Sequence, residues 1–168
     1  MTTTNDTKTK VSLPSDQEIL VTRTFDAPRD LLWRMWTQAE HLQHWWGPEG
    51  WSLPICEVDF RPGGSWFYCM QGPDGMQSCG KATYLGIDPP KRLVYEDAFT
   101  DAEGNVLEGM PLAHITLEFV EAGDKTTVLN TVRYPSKAER DAVLEMGVEA
   151  GIDQTWNRLD EYLVQISS

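Results

Sequence analysis

Positive charge is scarce in this chain: fourteen Lys and Arg stand against twenty-six Asp and Glu, a formal net charge of −12 over 168 residues. Such a surface repels phosphate backbones and anionic lipid headgroups, and no Lys/Arg cluster interrupts it, so neither nucleic acid nor a membrane is expected as a partner. Long apolar runs are missing too; none approaches the ~20 residues that cross a bilayer. The opening residues MTTTNDTKTK lack the apolar core of a secretion signal, which points to a cytoplasmic location. Cysteine is confined to Cys56, Cys69 and Cys79. Their spacing fits no zinc pattern, so no metal or cofactor is expected and the thiols read as reduced strand residues. No Ser/His/Asp order, HExxH, P-loop or GxGxxG occurs, which removes the common signatures of hydrolytic and nucleotide chemistry.

What is present is ordinary globular material, 40% hydrophobic and 24% charged, of a length that suits one core. Residues 1–15, rich in Thr, Lys, Asp and Ser, read as a disordered polar tail, with a single domain over 16–168. A β-rich run, Glu18 to Phe25, ends at Asp26-Ala27-Pro28, which stops a strand and opens a helix. Leu31, Leu32, Met35 and Trp36 then recur at helical spacing, and a second short helical turn carries Leu42 and Trp45. Strand-like segments follow over 51–60, 65–71, 76–87, 91–99, 113–120 and 125–134, separated by turn chemistry such as Arg61-Pro62-Gly63-Gly64 and Gly72-Pro73-Asp74-Gly75. Ser136-Lys137-Ala138-Glu139 is a capping box, and one long helix is expected from it to about Val164, with Val148, Ile152, Trp156, Leu159 and Leu163 on its apolar stripe. The fold class is therefore α+β: a curved antiparallel sheet of about seven strands wrapped on a long C-terminal helix, with two short helices after the first strand.

Alternation says which face of the sheet is inside. Trp66, Tyr68 and Met70 share one face of their strand, and Cys56, Val58 and Phe60 are the apolar set of the strand before it. One bulged residue in the turn brings both sets together, whereas an unbulged register would set Asp59 against Trp66. Ala82, Tyr84, Ile115, Leu117, Phe119, Thr126, Val128, Asn130 and Val132 should join that face. The covering helix carries Gly147 and Gly151 where bulk is expected; a helical glycine costs about 1 kcal/mol relative to alanine, so close packing or empty space lies beneath them.

These segments together resemble the SRPBCC (START-like) helix-grip superfamily, in the branch named after the activator of the heat-shock-protein-90 ATPase. The resemblance is carried by VTRTFDAPRDLLWRMWTQAEHLQHWWGP, CEVDFRPGGSWFYCMQGPDG, GKATYLGIDPPKRLVYEDAF, HITLEF and GVEAGIDQTWNRLDEYL, roughly residues 17–165. It implies a helix-grip fold with a deep apolar cavity between sheet and C-terminal helix, used across the superfamily for lipids, sterols, polyketides and other hydrophobic molecules. Many relatives carry Gly-Trp in the last helix where Gly151-Ile152 stands here, with Trp156 further along.

Placed in such a cavity, the segment HLQHWWGPEGW (41–51) would wall its mouth with rigid indoles. The candidate ligand-binding set is Trp36, Trp45, Trp46, Trp66, Tyr68 and Met70, followed by Tyr84, Tyr95, Asn130, Met146, Ala150 and Trp156. Tyr68, Tyr84 and Asn130 are its polar anchors. Acid–base candidates are His41, His44, His114, Glu96 and Asp97, since a carboxyl group held in an apolar cavity has a raised pKa suited to proton transfer. The leading expectation is a protein that binds a small hydrophobic molecule. The alternatives are a cyclase- or hydrolase-type enzyme using the same cavity and a co-chaperone-like interaction domain; sheet edges and exposed aromatics would also support a homodimer.

Overall fold

The computed structural model describes residues 8–110 and 112–167. Eight strands form one antiparallel sheet: β1 (Lys10–Ser12), β2 (Glu18–Phe25), β3 (Ser52–Val58), β4 (Ser65–Gln71), β5 (Gln77–Asp88), β6 (Arg92–Thr100), β7 (Leu112–Ala122) and β8 (Lys125–Arg133). Their spatial order is β1-β2-β8-β7-β6-β5-β4-β3, a meander from β3 to β8 on which β2 closes. Between β2 and β3 the chain must therefore cross from one side of the sheet to the other. It does so through α1 (Arg29–Thr37) and α2 (Ala39–Trp45), α1 resting on β7 and β8, α2 on β3. Pro28 is the N-cap of α1, where its missing N–H costs nothing.

Two expectations need correction here. Residues 10–12 are not tail: Lys10 to Ser12 pair with Thr22 to Leu20 as an eighth strand, because β2 would otherwise present an open edge. Residues 1–7 lie outside the described part of the chain. The single C-terminal helix is two, α3 (Lys137–Glu145) and α4 (Val148–Ser167), broken where Gly147 adopts φ +86°. Ser136 does cap the first, accepting from the Glu139 amide at 3.1 Å, but the left-handed glycine redirects the chain after one helix of nine residues.

The inner face is the one alternation selects. Val58 lies opposite Trp66 and Cys56 opposite Tyr68, the register that keeps Asp59 off the apolar row. Tyr84 faces Tyr95, then Ile115 and Val132 continue the row across β7 and β8. On the other face Cys69 and Cys79 lie directly opposite each other in β4 and β5 and form a disulfide, which corrects the expectation of three reduced thiols; Cys56 alone is free.

α4 is fixed on this face from both its flanks and its stripe. Leu159 and Leu163 are buried in the core, while Arg23 of β2 reaches α4 through Asn157, at 2.8 Å, and Asp160. That guanidinium is itself buried, so its partners matter: removing Asp160 would leave only the exposed Asp153, at 3.9 Å, to balance the charge.

Candidate functional site

From Thr155 onward α4 buries Thr155, Trp156, Leu159 and Leu163. Under its first turns a cavity of about 300 Å³ separates it from the inner faces of β6, β7 and β8, a volume suited to a small organic molecule. Val148, Gly151, Ile152 and Thr155 form the roof, Ile115, Leu117, Asn130 and Val132 the floor, and Trp36 with the Trp46-Gly47-Pro48 loop one wall. Gly151 explains part of this space, since a Cβ built on it would meet no atom within 4 Å. No Lys, Arg or His lines the cavity.

One carboxyl group does. Asp97 of β6 follows Tyr95 at the two-residue period of a strand and so faces inward, opposite Ala82 and Ala113. It is half-buried and lines the cavity. The Tyr68 hydroxyl donates to both of its oxygens, at 3.1 and 3.0 Å. This reach depends on Gly80, which sits opposite Tyr68: a Cβ there would lie 2.5 Å from the phenol oxygen and 2.6 Å from the ring carbon bearing it. Desolvation pushes the Asp97 carboxyl up to about 7, with the Tyr68 hydrogen bond pulling the other way. Burial, reinforced by that carboxylate, holds the Tyr68 and Tyr95 phenols well above their usual range.

Of the twelve candidate binding residues, Trp36, Trp46, Tyr68, Met70, Tyr95, Asn130 and Trp156 come together around this cavity. The other five stand elsewhere. Trp45 is fully buried in the core behind Trp36 and spends its indole N–H on the Met35 carbonyl, at 3.2 Å. Trp66 and Tyr84 are buried further along the sheet, against Trp46 and Phe60 respectively, and do not line the cavity. Met146 and Ala150 are exposed, because the break at Gly147 turns that part of the chain away from the stripe. The residues missed by sequence reading come mainly from β6 and from the roof, Phe99, Val143 and Thr155 among them; the two-residue period from Tyr95 would have found Phe99.

The tryptophans of 41–51 thus divide their work. Trp45 fills core, Trp46 walls the cavity while meeting Trp66 edge-on at 4.7 Å, and Trp51 covers Gly72, whose Cβ would lie 3.1 Å from the indole. The loop between them is fastened by Arg158 of α4, whose guanidinium donates to the carbonyls of Gly47 at 2.8 Å, Pro48 at 3.2 Å and His44 at 3.3 Å. Burial lowers the pKa of that guanidinium.

The remaining acid–base candidates lie off the cavity. His41 meets the Tyr162 hydroxyl at 2.7 Å and His44 stacks on the same ring at 4.8 Å, both outside the core between α2 and α4. Glu96, adjacent to Asp97, points to the opposite face, where it stands across from His114, with Arg133 beyond. Asp59 and Arg61 pair with each other at 2.9 Å on the exposed hairpin. Among the described residues, no group of three or more His, Cys, Asp and Glu could hold a metal ion, and no helix is long and apolar enough to cross a membrane.

The model of the family described as Activator of Hsp90 ATPase homolog 1-like protein matches residues 26–164. No curated protein matches the chain. Solved structures do: a Staphylococcus epidermidis protein is 35% identical with a TM-score of 0.82, over 92% of this chain and 93% of its own. A Mycobacterium smegmatis protein is 28% identical with a TM-score of 0.84, over 92% of this chain and 95% of its own. An Arthrobacter aurescens protein is 26% identical with a TM-score of 0.86, over 93% of this chain and 91% of its own.

Proposed function

This chain belongs to the Activator of Hsp90 ATPase homolog 1-like protein family, and from that premise we propose that it binds a small hydrophobic molecule in the cavity beneath α4. The observation that carries this reading is the contrast along one helix. The same apolar stripe is fully buried at Leu159 and Leu163, whereas Val148, Gly151 and Ile152 are half-buried and line the cavity, with open space at Gly151. A core selected only for stability would fill that volume, since each unfilled methyl-sized space costs about 1 kcal/mol. The aromatic walls supply area for an apolar guest, and Tyr95, Asn130 and Asp97 supply the few polar contacts that fix its orientation.

A second reading, an enzyme acting on a hydrophobic substrate, draws support from Asp97 alone: a carboxyl group titrating near neutral pH is suited to pass a proton either way. One experiment addresses both. Native mass spectrometry of protein purified without detergent, followed by denaturing extraction, should release an apolar molecule in stoichiometric amount. A clean apo mass from every preparation, with no apolar compound able to shift it on titration, sinks the binding reading. Conversion of an added compound to one of different mass moves the assignment to the enzyme.

A further inference from the structure

The buried carboxyl group has no cation to match it. Arg23 and Arg158 are spent on Asp160 and on the 44–48 loop, and Arg29, Arg61 and Arg140 pair with Glu121, Asp59 and Asp141. Asp97 accepts from Tyr68 at both oxygens, an arrangement that places a hydroxyl donor where a carboxylate wants one and leaves its cavity side open. The cavity that Asp97 lines is also lined by the rings of Trp36, Trp46, Tyr95, Tyr134 and Trp156. Aromatic walls with a single acid at their base are the chemical complement of an organic cation, which gains a charge-assisted hydrogen bond and ring-quadrupole attraction together.

Resting on the cavity-binding reading above, we infer that the ligand is an apolar amine, held as its ammonium ion against Asp97 with its hydrocarbon body under α4. Above the ionisation of Asp97 a neutral guest would leave the carboxylate without a counter-charge, and an anionic guest would add a second like charge. The field of a chain with net charge −12 also raises the local concentration of cations at the cavity mouth. Gly80 leaves room for the Tyr68 contact, since the phenol occupies the place where a Cβ would stand.

The titratable groups that line the cavity with Asp97 are the phenols of Tyr68 from β4, Tyr95 from β6 and Tyr134 after β8; α1 and α4 contribute no titratable or charged group to it. The phenols stay neutral throughout, so proton linkage is confined to Asp97 and the amine. The complex holds one proton between the two groups, whereas the separated acid and ammonium hold two. Affinity therefore rises about tenfold per pH unit below the ionisation of Asp97 and is level above it until the amine itself deprotonates.

The test is a matched series, 4-phenylbutylamine, 4-phenylbutan-1-ol and 4-phenylbutanoate, titrated calorimetrically into the full chain and into Asp97→Asn at pH 8. The wild-type protein should bind the amine roughly tenfold or more tighter than the alcohol, with the carboxylate weakest. In Asp97→Asn that preference should collapse. Equal binding of amine and alcohol by the wild type, or a preference that survives in Asp97→Asn, overturns the inference and leaves the cavity reading standing. Failure of all three compounds to bind overturns the inference, while the cavity reading is decided by the extraction experiment above. Should the variant not fold, the wild-type order of head groups together with the fall in amine affinity between pH 8 and pH 5 decides the matter.

Discussion

Burial raises the free energy of an ionised Asp97 carboxylate, and the consequence can be read as a pH dependence of stability. Its folded-state pKa, about 7, lies above the ordinary value of 3.8, so between those two the folded chain holds a proton that the unfolded chain has released. The contribution of Asp97 to stability is then fully present below about pH 4 and is lost progressively as pH rises towards 7. Asp97→Asn removes the titration while keeping an oxygen for the Tyr68 hydroxyl. Relative to wild type it should gain stability across that window, by a few kcal/mol at pH 8 on the linkage arithmetic. Urea denaturation at pH 4.5 and pH 8 measures the gap; a gap that stays constant would mean the carboxyl group titrates normally. At this scale the sequence was only half legible. Glu96 and Asp97 are adjacent acids in one strand, and choosing between them requires the parity of the strand against Tyr84 and Ile115, which is a property of register rather than of either residue.

The two glycines of the C-terminal region look alike in sequence and do opposite things. Gly147 holds φ +86° with nothing within 4 Å of where a Cβ would stand, so its requirement is one of backbone conformation alone. Gly151 is helical, and its added methyl would enter the open cavity without meeting anything. Gly147→Ala should therefore destabilise the chain by about 1 kcal/mol, while Gly151→Ala should stabilise it by roughly 0.5–1 kcal/mol. Thermal denaturation of both variants beside wild type checks the pair of signs. Two losses would mean that space over Gly151 is not open. The elements themselves were legible where their period was long and clean: every strand from Glu18 onward, both short helices and the Ser136 cap are where alternation, helical spacing and turn residues put them. The break at Gly147 was not, because a glycine inside an apolar helical stripe reads as tolerated until its φ is known. β1 escaped for a different reason. Three residues are too few to show a period, and only the unpaired edge of β2 calls for them.

Charge acts on the molecule as a whole. An excess of twelve negative charges repels itself in the compact state more than in the expanded one, which costs stability at low ionic strength. The pairs that oppose this are few. Arg61 with Asp59 and Lys137 with Asp141 are exposed at both ends and contribute little, and the Arg23 contact to Asp160 is sheltered enough to be weakly screened. Salt should therefore remove more repulsion than attraction. Raising NaCl from 0.01 M to 0.15 M shortens the screening length from about 30 Å to about 8 Å, below the dimensions of the domain. The thermal midpoint should rise over that interval, by roughly 2–4 °C for each 1 kcal/mol recovered in a chain of this size. Scanning calorimetry in matched buffers, with sucrose as an uncharged control, measures it. A midpoint that falls instead would show that the surface ion pairs, despite their exposure, outweigh the net charge.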